Sequence, residues 1–399
     1  MTCVLGMVVR REREIRSFVK TPFYRVLSSV ALEGEHFDGE WRAVEGSRYF
    51  QSPYLYKENG FKEKKHAEEL IRMLESEQPL SCRVEKVERK KENKNPPLLF
   101  NLAELQNVCS KLFKISPDET LSIVQDLYEK KLVTYPRTDA RVLSTAVAKE
   151  IYKNISGLRN YPQAGEAAQG ALELGAYKNI AKTRYTNDKQ ITDHYAIIPT
   201  GQGLGALKGL SLTAQRVYET IVRRFLSIFY PPAVYQKVSL VTKMENESFF
   251  SSFKVLLSEG YLKIAANSFA KKSMAEASGK TPESEGEGEV SCDEALLAAL
   301  QKLKKGDILN INGLGIKEGE TSPPKRYNSG SMILAMENAG QLIEDEDLRS
   351  QIKGSGIGTS ATRAEILKKL FNIRYLSLNK KTQVITPTLQ GEMIYDVVN

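Results

Sequence analysis

Leu132-Val133-Thr134-Tyr135-Pro136-Arg137-Thr138-Asp139 closes one helical pattern and turns the chain out of it. The ring of Pro136 disfavours α conformation at the residue before it, so the chain must leave the preceding helix at Tyr135 and carry the phenol on an extended corner. In extended chain, residues two apart share a side, which sets Arg137 beside Tyr135. That pairing has chemistry open to it. A free phenol ionises near pH 10, so forming its anion at neutral pH costs roughly 4 kcal/mol. A fixed arginine offsets this by stabilising an attacked phosphate, at roughly 1.5–3 kcal/mol for each charge-assisted hydrogen bond. The same residues also read as a packed aromatic at a turn, and spacing alone leaves both readings standing.

Upstream of this corner, Ser116-Pro117-Asp118-Glu119 supplies an N-cap, a proline at the first helical position and a glutamate at N3. It predicts a helix through Leu121, Val124, Leu127 and Tyr128 that runs out at Lys130-Lys131. Before it, Leu102, Leu105, Cys109 and Leu112 fall on one helical face, and a further helix is predicted from Thr213 to Phe229, stopped by Pro231-Pro232. Strand-like text flanks this helical block on both sides. It runs from Tyr24 to about Cys82 and on to Val87, interrupted by a helix from about Lys64 to Leu74, and it returns from Val234 to Ile264. Six basic and three acidic residues between Arg83 and Pro96 end in Asn95-Pro96-Pro97, which marks a boundary. The expectation is one discontinuous β domain with a helical domain inserted into it.

With 57 Lys+Arg against 49 Asp+Glu in 399 residues, the formal charge of +8 suits a folded protein with a polyanionic partner. The composition excludes collagen-like, coiled-coil and wholly disordered chains. No apolar run approaches the roughly 18 residues of a membrane span. The first helical stretch meets its charges after its apolar segment, at Arg10-Arg11-Glu12-Arg13, unlike a signal peptide. It has no N-cap before the apolar run, so it reads as the later part of a helix, and a cytoplasmic location is expected. Cys3, Cys82, Cys109 and Cys292 form no CxxC pair and have no histidine at ligand spacing, which leaves neither a disulfide framework nor a zinc site.

The segment from Leu132 to Asp139 resembles the active-site signature of type IA DNA topoisomerases, most closely the topoisomerase III branch. Other motifs follow in the family's order: Arg10 to Ile15, Thr192-Asp193-His194-Tyr195-Ala196-Ile197-Ile198-Pro199-Thr200, Pro323-Pro324-Lys325-Arg326-Tyr327, and Gly356-Ile357-Gly358-Thr359-Ser360-Ala361-Thr362-Arg363-Ala364. The resemblance implies that Tyr135 is the nucleophile, forming a 5′-phosphotyrosine bond with one DNA strand and leaving a 3′ hydroxyl. Arg137 would hold the scissile phosphate and His194 would assist through a hydrogen bond. Arg326, Thr359, Ser360, Thr362 and Arg363 would approach the strand, with Arg11 lining the same groove. Ala140, Tyr195 and Ser360 depart from the family's serine, histidine and proline at those places.

The resemblance also implies an α+β, multidomain architecture. A helical domain carrying the active-site Tyr is inserted into a split β-rich arch domain and followed by a C-terminal helical domain. The expected divisions are 1–22 for the first part of the base helical domain, 23–95 for the first half of the arch and 96–230 for the helical domain with Tyr135. The second half of the arch takes 231–315, with a mobile loop near 265–294, and the main part of the base takes 316–399. The family's TOPRIM domain, which supplies acidic ligands for Mg²⁺, finds no counterpart in the sequence. The chain is therefore expected to bind no metal itself and to need that domain in cis or in trans. The acidic Glu344-Asp345-Glu346-Asp347 reads as the polar start of a helix, not a replacement. Single-stranded DNA is the expected partner, with no membrane. The competing reading is a single-strand DNA-binding protein without catalysis. A tyrosine recombinase or a rolling-circle nickase fits less well, because there are only three histidines and no His-hydrophobe-His motif.

Overall fold

A computed structural model describes residues 1–76, 78–270, 289, 290, 292, 294–342 and 356–398. Most of the expected mobile loop and the whole 344–347 cluster lie outside those residues. The described fold mixes helices with antiparallel sheet and divides its apolar interior into three main cores.

The β part is a ring of paired strands. β1 (Pro22–Leu32), β2 (Glu35–Arg42), β5 (Ser81–Lys94), β6 (Ala233–Met244), β7 (Glu247–Ser258) and β9 (Ile308–Glu320) pair in the order β1-β2-β7-β6-β5-β9 and back to β1. All six of these pairings are antiparallel. Short strands β3 (Leu55–Lys57) and β4 (Gly60–Phe61) extend from β1, and β8 (Glu289–Val290) lies parallel to β7. The ring closes through two brief seams: β2 meets β7 only over Glu40–Arg42, and β5 meets β9 only over Ser81–Arg83. Alternation along the strands turns Val26, Val30, Phe37, Trp41, Val84, Val238, Leu240, Phe249 and Phe253 into one core, which α2 (Lys64–Leu74) joins with Ala67, Leu70 and Leu74.

The sequence places strands on both sides of the helical block, and the structure pairs them. β5 and β6 run together from Arg83↔Lys243 to Lys94↔Ala233, so the intervening chain leaves and re-enters the ring at neighbouring residues. That chain forms α3 (Leu102–Phe113), α4 (Pro117–Glu129), α5 (Thr145–Glu150), α6 (Tyr152–Gly157), α7 (Gly165–Leu174) and α8 (Leu212–Ser227), packed around their own core. Ser116 caps α4 by accepting from the Glu119 amide at 3.1 Å, with Pro117 at the first helical position. The expected continuation of strand to Ile264 fails. After Gly260, at φ +50°, the chain forms α9 (Leu262–Ala265), and the Tyr261 amide donates to Pro231 O at 2.9 Å. Residues 261–269 then lie on the helical unit, where Ser268 hydrogen-bonds Glu219 and Phe269 meets Phe113.

The base unit combines both ends of the described chain. α1 (Thr2–Ser17) packs with α11 (Ser329–Glu337), α12 (Arg363–Asn372) and α13 (Leu389–Val398), while α10 (Glu294–Lys302) belongs to the β core. Within the base a hairpin of β10 (Leu376–Leu378) and β11 (Ile385–Pro387) replaces what the sequence suggests is purely helical text. The base reaches the ring through β1 and β9, paired from Pro22↔Glu320 inward. It also touches the helical unit directly along α3 and α11. Gly330 makes this possible: a Cβ there would stand 2.7 Å from Asn107 Cα. No described helix is long and apolar enough to cross a membrane.

Candidate active site

Leu132 and Val133, both buried in the helical core, anchor the chain as it leaves α4. From there the loop is stitched to the segment 194–200. Thr134 N donates to Ile198 O at 3.0 Å, Thr134 Oγ1 donates to Ala196 O at 3.0 Å, and Thr138 Oγ1 donates to His194 O at 2.8 Å. Leu102 N donates to Thr138 O at 3.1 Å, fixing the far end of the loop to the start of α3. Each threonine has its hydroxyl committed to backbone, so the two segments keep one register.

This stitching brings two of the expected site residues together. The Tyr135 and His194 rings lie 4.4 Å apart at 42°, and Tyr128 of α4 closes edge-on to Tyr135 at 5.4 Å. Tyr135 is partly buried and His194 is exposed, so both rings reach solvent. Arg137 also turns towards α4, where its Nη1 donates to Gln125 Oε1 at 3.5 Å. Among the described residues its hydrogen bond goes there and not to either ring. The long, weak bond leaves the guanidinium easily redirected.

The expected strand-facing residues fall into two groups, both on the base. Thr359 and Thr362 are exposed and share a hydrogen-bonded turn at 2.9 Å (Thr359 N to Thr362 Oγ1), with Gly358 at φ +70° before it. Ser360 is buried in the same turn. Arg326 and Arg11 lie at α1. Arg326 is held by Glu12 through two hydrogen bonds of 2.8 and 2.9 Å, and this pairing keeps the Glu12 carboxyl below the usual carboxylate range. Arg11 donates to Lys325 O at 2.6 Å and to Tyr327 Oη at 3.1 Å, with its guanidinium over the Tyr327 ring.

Arg363 sits differently. It is only 5% exposed, and its Nη1 reaches Asp139 Oδ1 at 2.8 Å across the gap between base and helical unit. Glu337 Oε1 lies 3.9 Å from the same nitrogen, and Asn101 Nδ2 donates both to Glu337 Oε1 at 2.7 Å and to Asp139 O at 3.1 Å. Burial pushes the Glu337 carboxyl above its ordinary range, against the opposing pull of Arg363. Sequence reasoning passed over Asp139, Asn101, Glu337 and the ring of Tyr128 as site residues. Asn101 did carry a signal, since Asn101-Leu102-Ala103-Glu104 has the form of an N-cap with a glutamate at N3. Glu337 offered none, because nothing in Met336-Glu337-Asn338 tells which neighbour it faces.

Known proteins resemble the chain over its whole length. The DNA topoisomerase family profile matches residues 1–399. The chain is similar to DNA topoisomerase 3 of Bacillus licheniformis, 31% identical over 401 residues that cover 100% of this chain and 49% of the relative. It is similar to DNA topoisomerase 3 of Shouchella clausii at 32% over 384 residues, covering 95% of this chain and 47% of that protein. It thus spans about half the length of the curated relatives it matches. Full-length topoisomerase I from Thermotoga maritima shares the fold, with a TM-score of 0.62 at 21% identity over 100% of this chain and 54% of that one. A match that runs from the first residue to the last, with topoisomerase 3 proteins among its relatives, means that the chain belongs to the DNA topoisomerase family, in its type IA, topoisomerase III-like branch.

Proposed function

We propose that this chain carries the strand-cleaving tyrosine of a type IA topoisomerase and that Tyr135 attacks one phosphodiester of single-stranded DNA. The Oη–P bond forms as the P–O3′ bond breaks. The phenol gives up its proton and the strand's 3′ oxygen gains one, leaving a 5′-phosphotyrosine and a free 3′ hydroxyl. One phosphodiester replaces another, so the reverse step reseals the strand without ATP. Arg137, free to swing from Gln125, holds the scissile phosphate, and His194 hydrogen-bonds beside it. Thr359 and Thr362 offer their exposed hydroxyls to the strand backbone, while Ser360, buried in the same turn, supports it from beneath, and Arg326 and Arg11 extend the cationic track. The helical unit is read as residues 96–230, the split arch as 23–95 with 231–315 apart from 261–269, which pack back on the helical unit, and the base as 1–22 with 316–399.

The observation that carries this reading is the Tyr135–His194 ring pair at 4.4 Å, held in register by Thr134 and Thr138 at a partly open surface. Among the described residues no three His, Cys, Asp or Glu side chains come together as a cation site. They therefore do not fit the Mg²⁺ that the family implies, and no step here runs through it. In this reading a TOPRIM domain, in cis or in trans, holds the metal.

The test mixes the chain with a labelled oligonucleotide, Mg²⁺ and an added TOPRIM domain, and follows adducts that survive denaturation. Tyr135→Phe is expected to abolish the adduct while changing oligonucleotide affinity by less than about twofold, as expected for a group that bonds only in the reaction. An adduct that persists in Tyr135→Phe refutes the assignment. Binding without an adduct in every arm would favour a non-catalytic single-strand binder instead.

A further inference from the structure

Arg363 was expected among the strand contacts, yet its surroundings are those of a structural cation. Its guanidinium is buried, Nη1 is given to Asp139 at 2.8 Å, Nη2 donates to Gly358 O at 3.2 Å, and Nε is enclosed without a hydrogen-bond partner. To touch a strand it would have to abandon two hydrogen bonds and leave Asp139 and Glu337 facing each other unneutralised. We propose that Arg363 is a positioning residue. Through Asp139 it locks the register between the loop carrying Tyr135, on the helical unit, and the 356–362 turn, on the base.

The geometry is reciprocal. The helical unit contributes one donor and one acid, Asn101 and Asp139, and the base contributes one donor and one acid, Arg363 and Glu337. Each donor grips the acid of the other unit, at 2.7 Å for Asn101 with Glu337 and at 2.8 Å for Arg363 with Asp139. Asn101 also holds the Asp139 carbonyl, so the two pairs cannot slide independently. Asp139 lies four residues beyond Tyr135 on the loop already fixed by Thr138, and Arg363 directly follows Thr362 in the turn that would receive the strand. A nucleophile on one unit and strand contacts on the other make one site only if their offset is set, and this quartet sets it.

The inference rests on the proposed function for its consequence but not for its test. Hydrogen exchange is measured on the free chain for peptides covering 134–140 and 356–363, in Asp139→Asn, Arg363→Gln, the double variant and Arg363→Lys. We expect exchange in both peptides to rise about tenfold in either single variant and no further in the double, because both remove one interaction. Arg363→Lys should recover part of the protection. Oligonucleotide affinity should stay within about twofold, while adduct formation, measured with a TOPRIM domain present, falls about tenfold, a loss confined to the reacting geometry. Unchanged exchange in 134–140 upon Arg363→Gln overturns the proposal. So does an affinity loss beyond about tenfold in Arg363→Gln that Asp139→Asn does not share, which marks a direct strand contact. If the unaltered chain yields no adduct, the functional reading fails, and the exchange comparison still decides the ion pair. Should Arg363→Gln not fold, Arg363→Lys and Asp139→Asn carry the same comparison.

Discussion

The β5/β6 ribbon and the α3/α11 seam both attach the helical unit to its neighbours, but they are made of opposite materials. In the ribbon, residues from Arg83 to Lys94 pair with Lys243 to Ala233 through an antiparallel ladder, so separating the strands means breaking backbone hydrogen bonds one after another. The seam is side chains against side chains. Ser110 Oγ meets Ser329 Oγ at 3.1 Å, Ser329 Oγ donates to Gln383 at 2.8 Å, and Gly330 lets α11 close on Asn107. When such a surface parts, water replaces the lost hydrogen bonds, while Ala103 of α3 leaves the apolar core it shares with Met332, Ile333 and Met336 of α11. A ribbon can twist without parting. The two joints therefore differ in what holds them: the ladder resists bond by bond, and the seam rests on the fit of its side chains.

The contrast breaks first, and most heavily, in the β core that roots the ribbon. Trp41 is fully buried, stacks on Phe61 with ring centroids 4.9 Å apart, and donates its indole N–H to Glu247 at 2.6 Å. Trp41→Ala should cost about 3–5 kcal/mol, and it strands the buried Glu247 carboxylate with one donor fewer. Denaturant unfolding followed by circular dichroism should register this loss. Hydrogen exchange should place it in the strands and leave the α3/α11 amides unchanged. Equal loosening of the seam would mean that the two joints are one cooperative structure.

Gly330→Ala inverts the usual sign of that substitution. In an exposed helix it stabilises by roughly 1 kcal/mol, whereas here the added methyl meets the Asn107 backbone at 2.7 Å. Overpacking of this kind costs about 1–3 kcal/mol. Faster exchange confined to α3 and α11 is expected, and a stabilised protein would show that the helices separate more readily than their packing implies.

These two cases also mark how far the sequence could be read. Ser116-Pro117, the helix from Lys64 to Leu74 and the corner at Pro136 were legible because local chemistry fixes them: a cap, a proline and a helical apolar period. The partnership of Tyr135 with His194 followed from a resemblance between two distant motifs and not from periodicity. What could not be read were contacts that depend on which surfaces meet. Gly330 looks like any glycine near a helix start until Asn107 stands against it. Tyr261-Leu262-Lys263-Ile264 reads as a strand by its residue types and becomes a helical turn because Pro231 and Gly260 fold it back onto α8. Glu337 and Asp139 acquire their roles only once α11 lies beside α3.

Glu337 offers a finer probe of the seam. Because burial raises its carboxyl above the unfolded range, the folded seam holds the proton more tightly. The stability linked to this group is therefore fully present below the unfolded value and is lost as pH rises through the higher folded one. Glu337→Gln removes that dependence while keeping an oxygen for Asn101. Exchange of α3 and α11 amides, corrected for intrinsic rates, should accelerate with pH on the alkaline side of the usual carboxylate range in the parent protein and stay flat in the variant. Parallel slopes in the two would place the titration elsewhere.

The smallest effect belongs to the ion pair at the rim of the same seam. Lys368 of α12 reaches Asp118 of α4 at 2.9 Å, with both side chains about half exposed. The distance matches that of Arg363 with Asp139, so a reading by geometry alone would rank the two pairs together. Solvent separates them. An exposed pair gains little over its hydration, holds two flexible chains in one geometry, and is screened by salt within a Debye length of about 8 Å at physiological ionic strength. Arg363 has no water to return to, whereas Lys368 exchanges its partner for solvent at almost no loss. Lys368→Ala should thus leave seam exchange unchanged at physiological salt, with a slight acceleration emerging only at low ionic strength. Loosening comparable to that of Asp139→Asn would show that the rim, and not the quartet around the buried Arg363, holds the units together.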